Sequence, residues 1–77
     1  MKVTIYSKDN CAFCDRAKVL LEMYKQEYTE LKLDTDFNRE ELLELFPEAR
    51  TFPVVTLDGE YIGGYNELAR KLTITEE

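Results

Sequence analysis

Cys11-Ala12-Phe13-Cys14 contains both cysteines of this 77-residue chain, three positions apart. The stretch follows an alternating apolar run around Val3 and Ile5 and opens a segment with helical periodicity. A C-x-x-C motif beside a βαβ pattern in an intracellular protein indicates redox chemistry. A thiolate at a helix N-terminus is stabilised by free backbone N–H groups and by the helix dipole. We therefore predict that Cys11, at the exposed end, is a nucleophile and that Cys14 is a buried resolving thiol.

The segments on either side of this motif predict a strand, a helix and a second strand. Residues 2–7 alternate between apolar and polar side chains, which indicates strand one. The helix is predicted to begin at Cys11 or Ala12 and to end near Gln26 or Glu27. Residues 28–34 alternate again and indicate strand two, so short connections imply a right-handed parallel βαβ unit. The apolar face of the helix is formed by Phe13, Ala17, Leu20, Leu21 and Tyr24.

Turn and capping residues divide the second half of the chain into four further elements. Asn38 as the N-cap, with Glu41 as its capping-box partner, predicts a second helix that Pro47 stops. Residues 54–57 are predicted as strand three, and the Asp58-Gly59 turn leads into strand four over residues 60–62. Residues 65–72 are predicted as a third helix, with a short tail over residues 73–77. The predicted core side chains are Phe13, Leu20, Leu21, Leu42, Phe46, Leu68 and Leu72.

Composition and charge exclude several classes of function. A hydrophobic content of 44% suits one folded domain over residues 1–77. The net charge of −6 argues against nonspecific binding to nucleic acid. Without histidine there is no Cys–His pair, and a metal site of four nitrogen or sulfur ligands is not expected. Long apolar stretches and a signal-peptide core are also absent from the sequence, so we expect a cytoplasmic protein with no membrane attachment, and a mature exported form that has lost its signal is the alternative. We also expect the protein to be a monomer.

The predicted order β-α-β-α-β-β-α, with a dithiol after the first strand, is that of the thioredoxin fold: an α/β domain with a four-stranded mixed sheet flanked by three helices. Tyr6-Ser7-Lys8, the Cys11–Cys14 motif, Arg50-Thr51-Phe52-Pro53 and Ile62-Gly63-Gly64-Tyr65 resemble the glutaredoxin family in order and spacing. The resemblance covers almost the whole chain and is strongest to the small dithiol glutaredoxins of bacteria and their phages. It implies a thiol–disulfide oxidoreductase that uses glutathione as its reducing co-substrate and holds no permanent cofactor.

The same resemblance implies roles for residues outside the dithiol. Pro53 matches a cis-proline that presents the backbone of Phe52 to an extended thiol peptide. A binding site for glutathione is implied, in which Lys8 meets the glycyl carboxylate and Thr51 and Phe52 flank the cysteinyl part. Ribonucleotide reductase is one electron acceptor that the family suggests, beside disulfide-containing and glutathionylated proteins. The remaining binding residues implied by the resemblance are Phe13, Gly64, Tyr65, Asn66 and Glu67.

Four positions, in three places, depart from the usual family pattern. Ala12-Phe13 replaces the common Pro-Tyr pair between the cysteines, which removes a φ-locked residue and a hydroxyl but keeps a ring. Phe52 stands where valine is usual, and its larger ring could narrow the binding groove. Glu67 stands where aspartate is usual, so its carboxylate reaches one methylene further.

Other interpretations of these residues stay open at the level of sequence. Taken locally, Pro53 could be a trans residue at an edge strand, Lys8 a solvated side chain, and Gly63-Gly64 a plain turn. The chain could be a carrier reduced by thioredoxin reductase, or a dimer that shares a [2Fe–2S] cluster through Cys11 and two glutathiones. An acidic binding module with an incidental dithiol is a weaker hypothesis.

Overall fold

Residues 2–74, described by a computed structural model, form seven elements in the predicted order. The strands are ordered β2-β1-β3-β4 in one sheet; β1 and β2 are parallel, and the two other pairs are antiparallel. The predicted mixed sheet is confirmed, and residues 75–77 of the predicted tail lie outside the described part. The elements are β1 (Val3–Ser7), α1 (Ala12–Met23), β2 (Tyr28–Lys32), α2 (Arg39–Leu45), β3 (Val54–Leu57), β4 (Glu60–Gly63) and α3 (Tyr65–Ile74).

The two faces of the sheet bury different clusters, because successive side chains of a strand point to opposite sides. Val3 and Ile5 of β1 face α1 and α3, where they belong to the main core. Tyr6 faces the other side, and its ring lies 5.3 Å from that of Phe37 and 5.2 Å from that of Phe46. The main core comprises Val3, Ile5, Ala17, Leu21, Val55, Leu68 and Leu72, and the smaller cluster is centred on Leu42, Ala49 and Val54.

Helix α2 begins with the capping box that the sequence predicts. The side-chain oxygen of Asn38 accepts a hydrogen bond from the backbone N–H of Glu41 at 2.8 Å. The carboxylate of Glu41 in turn accepts from the backbone N–H of Asn38 at 2.9 Å. These two bonds satisfy donors that the first turn of a helix leaves without intrahelical partners, so this short helix has a defined start.

Helix α1 ends earlier than the sequence predicts, at Met23 rather than near Gln26 or Glu27. Lys25 has a φ of +55°, and its N–H donates to the carbonyl of Glu22 at 3.0 Å. The N–H of Gln26 donates to the carbonyl of Leu21 at 2.9 Å, which completes the double hydrogen bond of a Schellman motif. Glycine is the usual residue at the left-handed position of this motif, so a lysine there gives no signal in the sequence.

The ends of three other elements also shift from the predicted positions. Strand β2 stops at Lys32 rather than at Asp34, because the backbone turns there and the carbonyl of Lys32 accepts the N–H groups of Thr35 at 3.1 Å and Asp36 at 2.8 Å. Strand β4 includes Gly63, opposite an irregularity between Val55 and Thr56. Helix α3 continues to Ile74, beyond the predicted end at residue 72. None of the helices within residues 2–74 is long and apolar enough to cross a membrane.

Replacing Leu21 by alanine is expected to lower the free energy of unfolding by about 2–5 kcal/mol. Leu21 is 0% exposed in the main core, so truncation leaves a cavity between α1 and the sheet. Met23 lies on the same helix but is 72% exposed, and Met23→Ala should cost less than about 0.5 kcal/mol. Urea unfolding of both variants measures the difference. Equal losses in the two variants would contradict the proposed position of the core.

Candidate active site

The dithiol lies at the start of α1, where Cys11 is the N-cap residue. Its backbone is extended, with φ −123° and ψ 102°, and its sulfur accepts the backbone N–H of Cys14 at 3.2 Å. The two cysteines are joined by a disulfide bond, and their Cα atoms are 5.2 Å apart. Cys14 is only 1% exposed, whereas Cys11 is partly exposed. An external thiol or disulfide can therefore reach Cys11 but not Cys14, in agreement with the predicted exposure of the two thiols.

A polar cluster joins the end of β1, the middle of β2 and the second turn of α1. Ser7 is fully buried, and its hydroxyl donates to the carboxylate of Glu30 at 2.7 Å. The ammonium of Lys18, one turn after Cys14, donates to the same carboxylate oxygen at 2.9 Å. The hydrogen bond from Ser7, and then that from Lys18, lowers the pKa of Glu30, and Glu30 raises the pKa of Lys18. Glu30 and Lys18 are both charged at neutral pH. Through Glu30 and Ser7, this cluster connects α1 to β1, the strand that leads into the dithiol loop.

Two adjoining grooves meet beside the dithiol, with volumes of about 450 Å³ and about 440 Å³, which are within the usual range for small-molecule sites. We call them the cysteine groove and the α3 groove, and their shared wall is formed by Phe13, Arg50, Thr51 and Phe52. The cysteine groove is also lined by Lys8, Cys11, Ala12 and Arg39. The α3 groove is also lined by Glu48, Pro53, Tyr61, Ile62, Gly63, Gly64, Tyr65, Asn66 and Glu67.

All predicted site residues except the buried Cys14 line one or both of these grooves. Arg39, Arg50 and Glu48 also line them but were not predicted as site residues. Arg50 directly precedes Thr51, so its position in the sequence could have drawn attention to it. Arg39 is the first residue of α2 and is brought to the cysteine groove only by the tertiary fold, so no local pattern identifies it.

The prediction that Phe13 belongs to the core is wrong. Its side chain is 51% exposed and forms part of the wall between the two grooves. Phe13 lies on the same side of α1 as the buried Ala17, four residues later, but it belongs to the first turn, beside the dithiol, and is not part of the main core. The ring of Phe13 instead lies 5.9 Å from that of Tyr65 at the start of α3. This residue therefore connects the dithiol helix to the α3 groove.

Pro53 and Gly64 bring the loop before β3 close to the start of α3. The Phe52–Pro53 peptide is cis, as predicted, and Pro53 is buried. A Cβ atom at Gly64 would lie 3.1 Å from the carbonyl oxygen of Pro53, so only glycine fits this approach without movement. Val54 is the first residue of this segment paired in the sheet, which leaves the backbone of Phe52 outside the ladder.

The carboxylate of Glu67 folds back over the start of α3. It accepts the backbone N–H of Gly64 at 2.8 Å, and this hydrogen bond lowers the pKa of Glu67. Gly63 has a φ of +129°, and a Cβ atom there would lie 2.6 Å from the side chain of Glu67. Glycine at position 63 therefore provides both the backbone conformation and the space that the carboxylate needs. The α3 groove consequently contains a negative charge at the head of the helix.

The two grooves differ in the charged side chains that line them. The cysteine groove is lined by Lys8, Arg39 and Arg50 and by no carboxylate. The ammonium of Lys8 lies 5.4 Å from the centre of the Phe52 ring, a favourable cation–π distance. Within residues 2–74, no group of three or more Cys, Asp or Glu side chains is close enough together to hold a metal ion.

The fold and the site together define a class of protein, namely a thioredoxin-fold protein with a redox dithiol at a helix N-terminus. The family model described as Glutaredoxin matches residues 3–62 of the chain. Glutaredoxin 3 of Escherichia coli K12 is 33% identical over 66 residues, which cover 86% of this chain and 80% of that protein. The chain therefore belongs to the glutaredoxin family and is a thiol–disulfide oxidoreductase whose redox pair is Cys11 and Cys14.

Solved structures agree with this assignment. Glutaredoxin 1 from Francisella tularensis, in complex with cacodylate, has a TM-score of 0.79 and 27% identity over 99% of this chain and 98% of that one. A buckwheat glutaredoxin–glutathione complex also has a TM-score of 0.79, with 28% identity over 96% of this chain and 70% of that one. The second of these proteins carries glutathione, the tripeptide that the resemblance in sequence implies as co-substrate.

Glu30→Gln is expected to change how the stability of the protein depends on pH. Because the folded state lowers the pKa of Glu30 below its ordinary value of 4.5, its contribution is fully present above that pH. The contribution is lost as the pH falls through the lower folded-state pKa. The difference in unfolding free energy between wild type and Glu30→Gln should therefore be largest near neutral pH and shrink in acid.

Urea unfolding between about pH 7 and about pH 3 measures this difference. Glu44→Gln is the matched control, because Glu44 is an exposed glutamate on α2. A Glu30→Gln deficit that stays constant across this pH range would show that its carboxylate charge does not stabilise the folded state.

Proposed function

We propose that glutathione supplies the electrons for this oxidoreductase. In the reduced protein, the Cys11 thiolate attacks one sulfur of a substrate disulfide, and the other substrate sulfur leaves as a thiolate. Cys14 then attacks the sulfur of Cys11, which releases the second substrate thiolate and forms the Cys11–Cys14 disulfide. Two electrons pass to the substrate, and the two protons of the dithiol end on the substrate thiols.

Two glutathione molecules return the protein to its reduced state. The first attacks the sulfur of Cys11, forms a glutathionyl-Cys11 disulfide and frees the Cys14 thiol. The second attacks the glutathione sulfur of that intermediate, the sulfur of Cys11 leaves as a thiolate, and glutathione disulfide is released. The hydrogen bond from the N–H of Cys14 to the sulfur of Cys11 supports the assignment of Cys11, because the same donor would stabilise its thiolate.

The observation that carries this proposal is the pair of grooves that meet at the shared wall beside Cys11. Glutathione has a carboxylate at its glycyl end and an ammonium and a carboxylate at its γ-glutamyl end. Lys8 and Arg39 in the cysteine groove suit the glycyl carboxylate. The backbone N–H groups of Tyr65 and Asn66 at the start of α3 suit the γ-glutamyl carboxylate, and Glu67 suits the ammonium.

Thr51 and Phe52, which line both grooves, would flank the cysteinyl part between these two ends. Pro53, Gly64 and Phe13 would complete the contacts along the α3 groove. The backbone of Phe52 can pair with an extended peptide because it lies outside the sheet ladder. We further propose that the protein acts as a cytoplasmic monomer on disulfide-containing or glutathionylated proteins, with ribonucleotide reductase among the acceptors to test.

A carrier reduced by thioredoxin reductase is the second candidate, and one observation favours it. The carboxylate of Glu67 already accepts the N–H of Gly64, so binding of a ligand ammonium would have to share or break this hydrogen bond.

A third possibility, a [2Fe–2S] cluster shared by two chains, would give a brown dimer. We expect a colourless monomer after anaerobic reconstitution with iron and sulfide.

A coupled assay tests the proposed reductant. A glutathionylated peptide, glutathione, glutathione reductase and NADPH are mixed with wild type, Cys11→Ser or Cys14→Ser, and oxidation of NADPH is followed. Wild type and Cys14→Ser should turn over, because Cys11 alone can take up glutathione and release it to a second glutathione. Cys11→Ser should lose more than about 99% of the rate, because no exposed thiol remains.

The opposite outcomes are equally informative. If thioredoxin reductase reduces the wild type efficiently and the glutathione system gives no turnover, then thioredoxin reductase, and not glutathione, is the reductant. Full biological activity of a Cys11→Ser, Cys14→Ser double variant would favour the acidic binding module over an enzyme.

Lys8→Gln is expected to raise the KM for glutathione about three- to tenfold, because one exposed charge–carboxylate contact is worth about 1 kcal/mol. Lys71→Gln is the matched control, since Lys71 is exposed on α3 and lines neither groove. Steady-state rates at varied glutathione concentration give both values. An unchanged KM in Lys8→Gln would remove Lys8 from the proposed glycyl site.

A further inference from the structure

The binding surface around Cys11 is electrically polarised in a way that the net charge does not suggest. The chain has 16 acidic and 10 basic residues, yet the cysteine groove contains Lys8, Arg39 and Arg50 and no carboxylate. The ion pairs within residues 2–74 involve Lys18 and Lys32 and leave these three cations without a carboxylate partner. The cysteine groove is therefore a positive region on a negatively charged protein.

The α3 groove, on the other side of the shared wall, has the opposite polarity. It contains Glu48 and Glu67, and its one cation is Arg50, which belongs to the shared wall. Glu67 is held in place by the N–H of Gly64, so its charge has a defined position. A substrate that crosses from one groove to the other past Cys11 passes from a field of positive charge to one of mixed or negative charge.

We propose that this glutaredoxin selects polypeptide cysteines by the charges beside them: acidic residues following the cysteine and basic or neutral residues preceding it. The direction rests on the proposed function, because glutathione would place its N-terminal γ-glutamyl end in the α3 groove and its C-terminal glycyl end near Lys8. A polypeptide bound with the same chain direction puts the residues after its cysteine over Lys8, Arg39 and Arg50. The residues before its cysteine lie near Glu48 and Glu67.

The cysteine groove has three cations, whereas the glycyl end of glutathione has a single carboxylate to pair with them. A polypeptide with two acidic residues after its cysteine would pair with more of these cations, and charge complementarity across a binding surface increases association rates and discriminates between partners. The exposed guanidinium groups of Arg39 and Arg50 can each bind a carboxylate in the two-point geometry that lysine lacks. The occupant that fits these charges is therefore an extended acidic segment rather than a hydrophobic one.

Two symmetric peptide disulfides of identical composition test this proposal. In the first, two lysines precede the cysteine and two aspartates follow it; in the second, the order is reversed; and a neutral serine-flanked peptide serves as the reference. Their net charges are equal, so long-range attraction to the protein is the same for both. The dithiol form of the protein, freed of reductant, is mixed with each peptide in a stopped-flow instrument, and each rate constant is divided by that of the neutral peptide.

The first peptide is expected to react about tenfold faster than the second at about 0.02 M salt, and the ratio should fall towards one at about 0.5 M salt. The Arg39→Gln, Arg50→Gln double variant should bring the two rates within about twofold, while Lys71→Gln should leave the ratio unchanged. Equal rates in the wild type, a faster second peptide, or a ratio that survives in the double variant would each overturn the proposal.

This experiment is separate from the test of the reductant, because it contains no glutathione and follows one turnover. If the coupled assay fails while the peptide ratio is observed, glutathione is not the reductant but the charge selection stands. If the coupled assay succeeds and the peptides react equally, the glutathione site stands and the selection by flanking charge is wrong.

Discussion

The hydrogen bond from the N–H of Cys14 to the sulfur of Cys11 is the interaction on which the chemistry of this protein depends. It places a thiol sulfur at the N-cap of α1, where the free N–H groups and the helix dipole favour negative charge. The two cysteines differ in exposure: Cys11 is partly exposed, whereas Cys14, one turn further into the helix, is buried. The different exposure of the two cysteines thus follows from where α1 begins.

The position of α1 is in turn secured by contacts far from the dithiol. Ala17 and Leu21 pack into the main core, and Lys18 joins the carboxylate of Glu30, which also accepts the hydroxyl of the buried Ser7. The core supplies most of the stabilisation, because apolar burial outweighs a partly exposed ion pair. The polar cluster instead gives α1 a fixed register on the sheet, next to the strand end from which the dithiol loop leaves.

The three departures from the usual family pattern have different consequences in the structure. Phe13 keeps an aromatic ring between the dithiol and Tyr65, so the wall between the grooves is preserved without a hydroxyl. Phe52 presents a larger face than valine and holds Lys8 at a cation–π distance beside Cys11. Glu67 reaches the N–H of Gly64, so its carboxylate caps α3 as well as lining the groove. Two of these three changes therefore affect where charged groups lie around the grooves, and neither changes the number of charges.

Local signals in the sequence were sufficient for most of the fold. The C-x-x-C spacing, the Asn38–Glu41 capping box and the Asp58-Gly59 turn each involve residues within a few positions of one another, and all lie where predicted. The predictions failed where an uncommon residue occupies a standard local motif, or where tertiary packing exposes a side chain that helical periodicity assigns to the core. Lys25 ends α1 in a conformation that favours glycine, and Phe13 lines the grooves from the first turn of α1, although helical spacing places it on the same side as the buried Ala17.

The amino-acid pattern alone was enough for the order of the elements, the family resemblance and the reactive pair, because these depend on spacing along the chain. Tertiary packing was needed to bring Arg39 from α2 and Arg50 from the loop before β3 to the same groove as Lys8 and Cys11. Residues so distant in sequence share no local signal, and their charges act together only once the fold has placed them around one groove. The reactive dithiol can thus be identified from the sequence, whereas the distribution of charge around it depends on the tertiary structure.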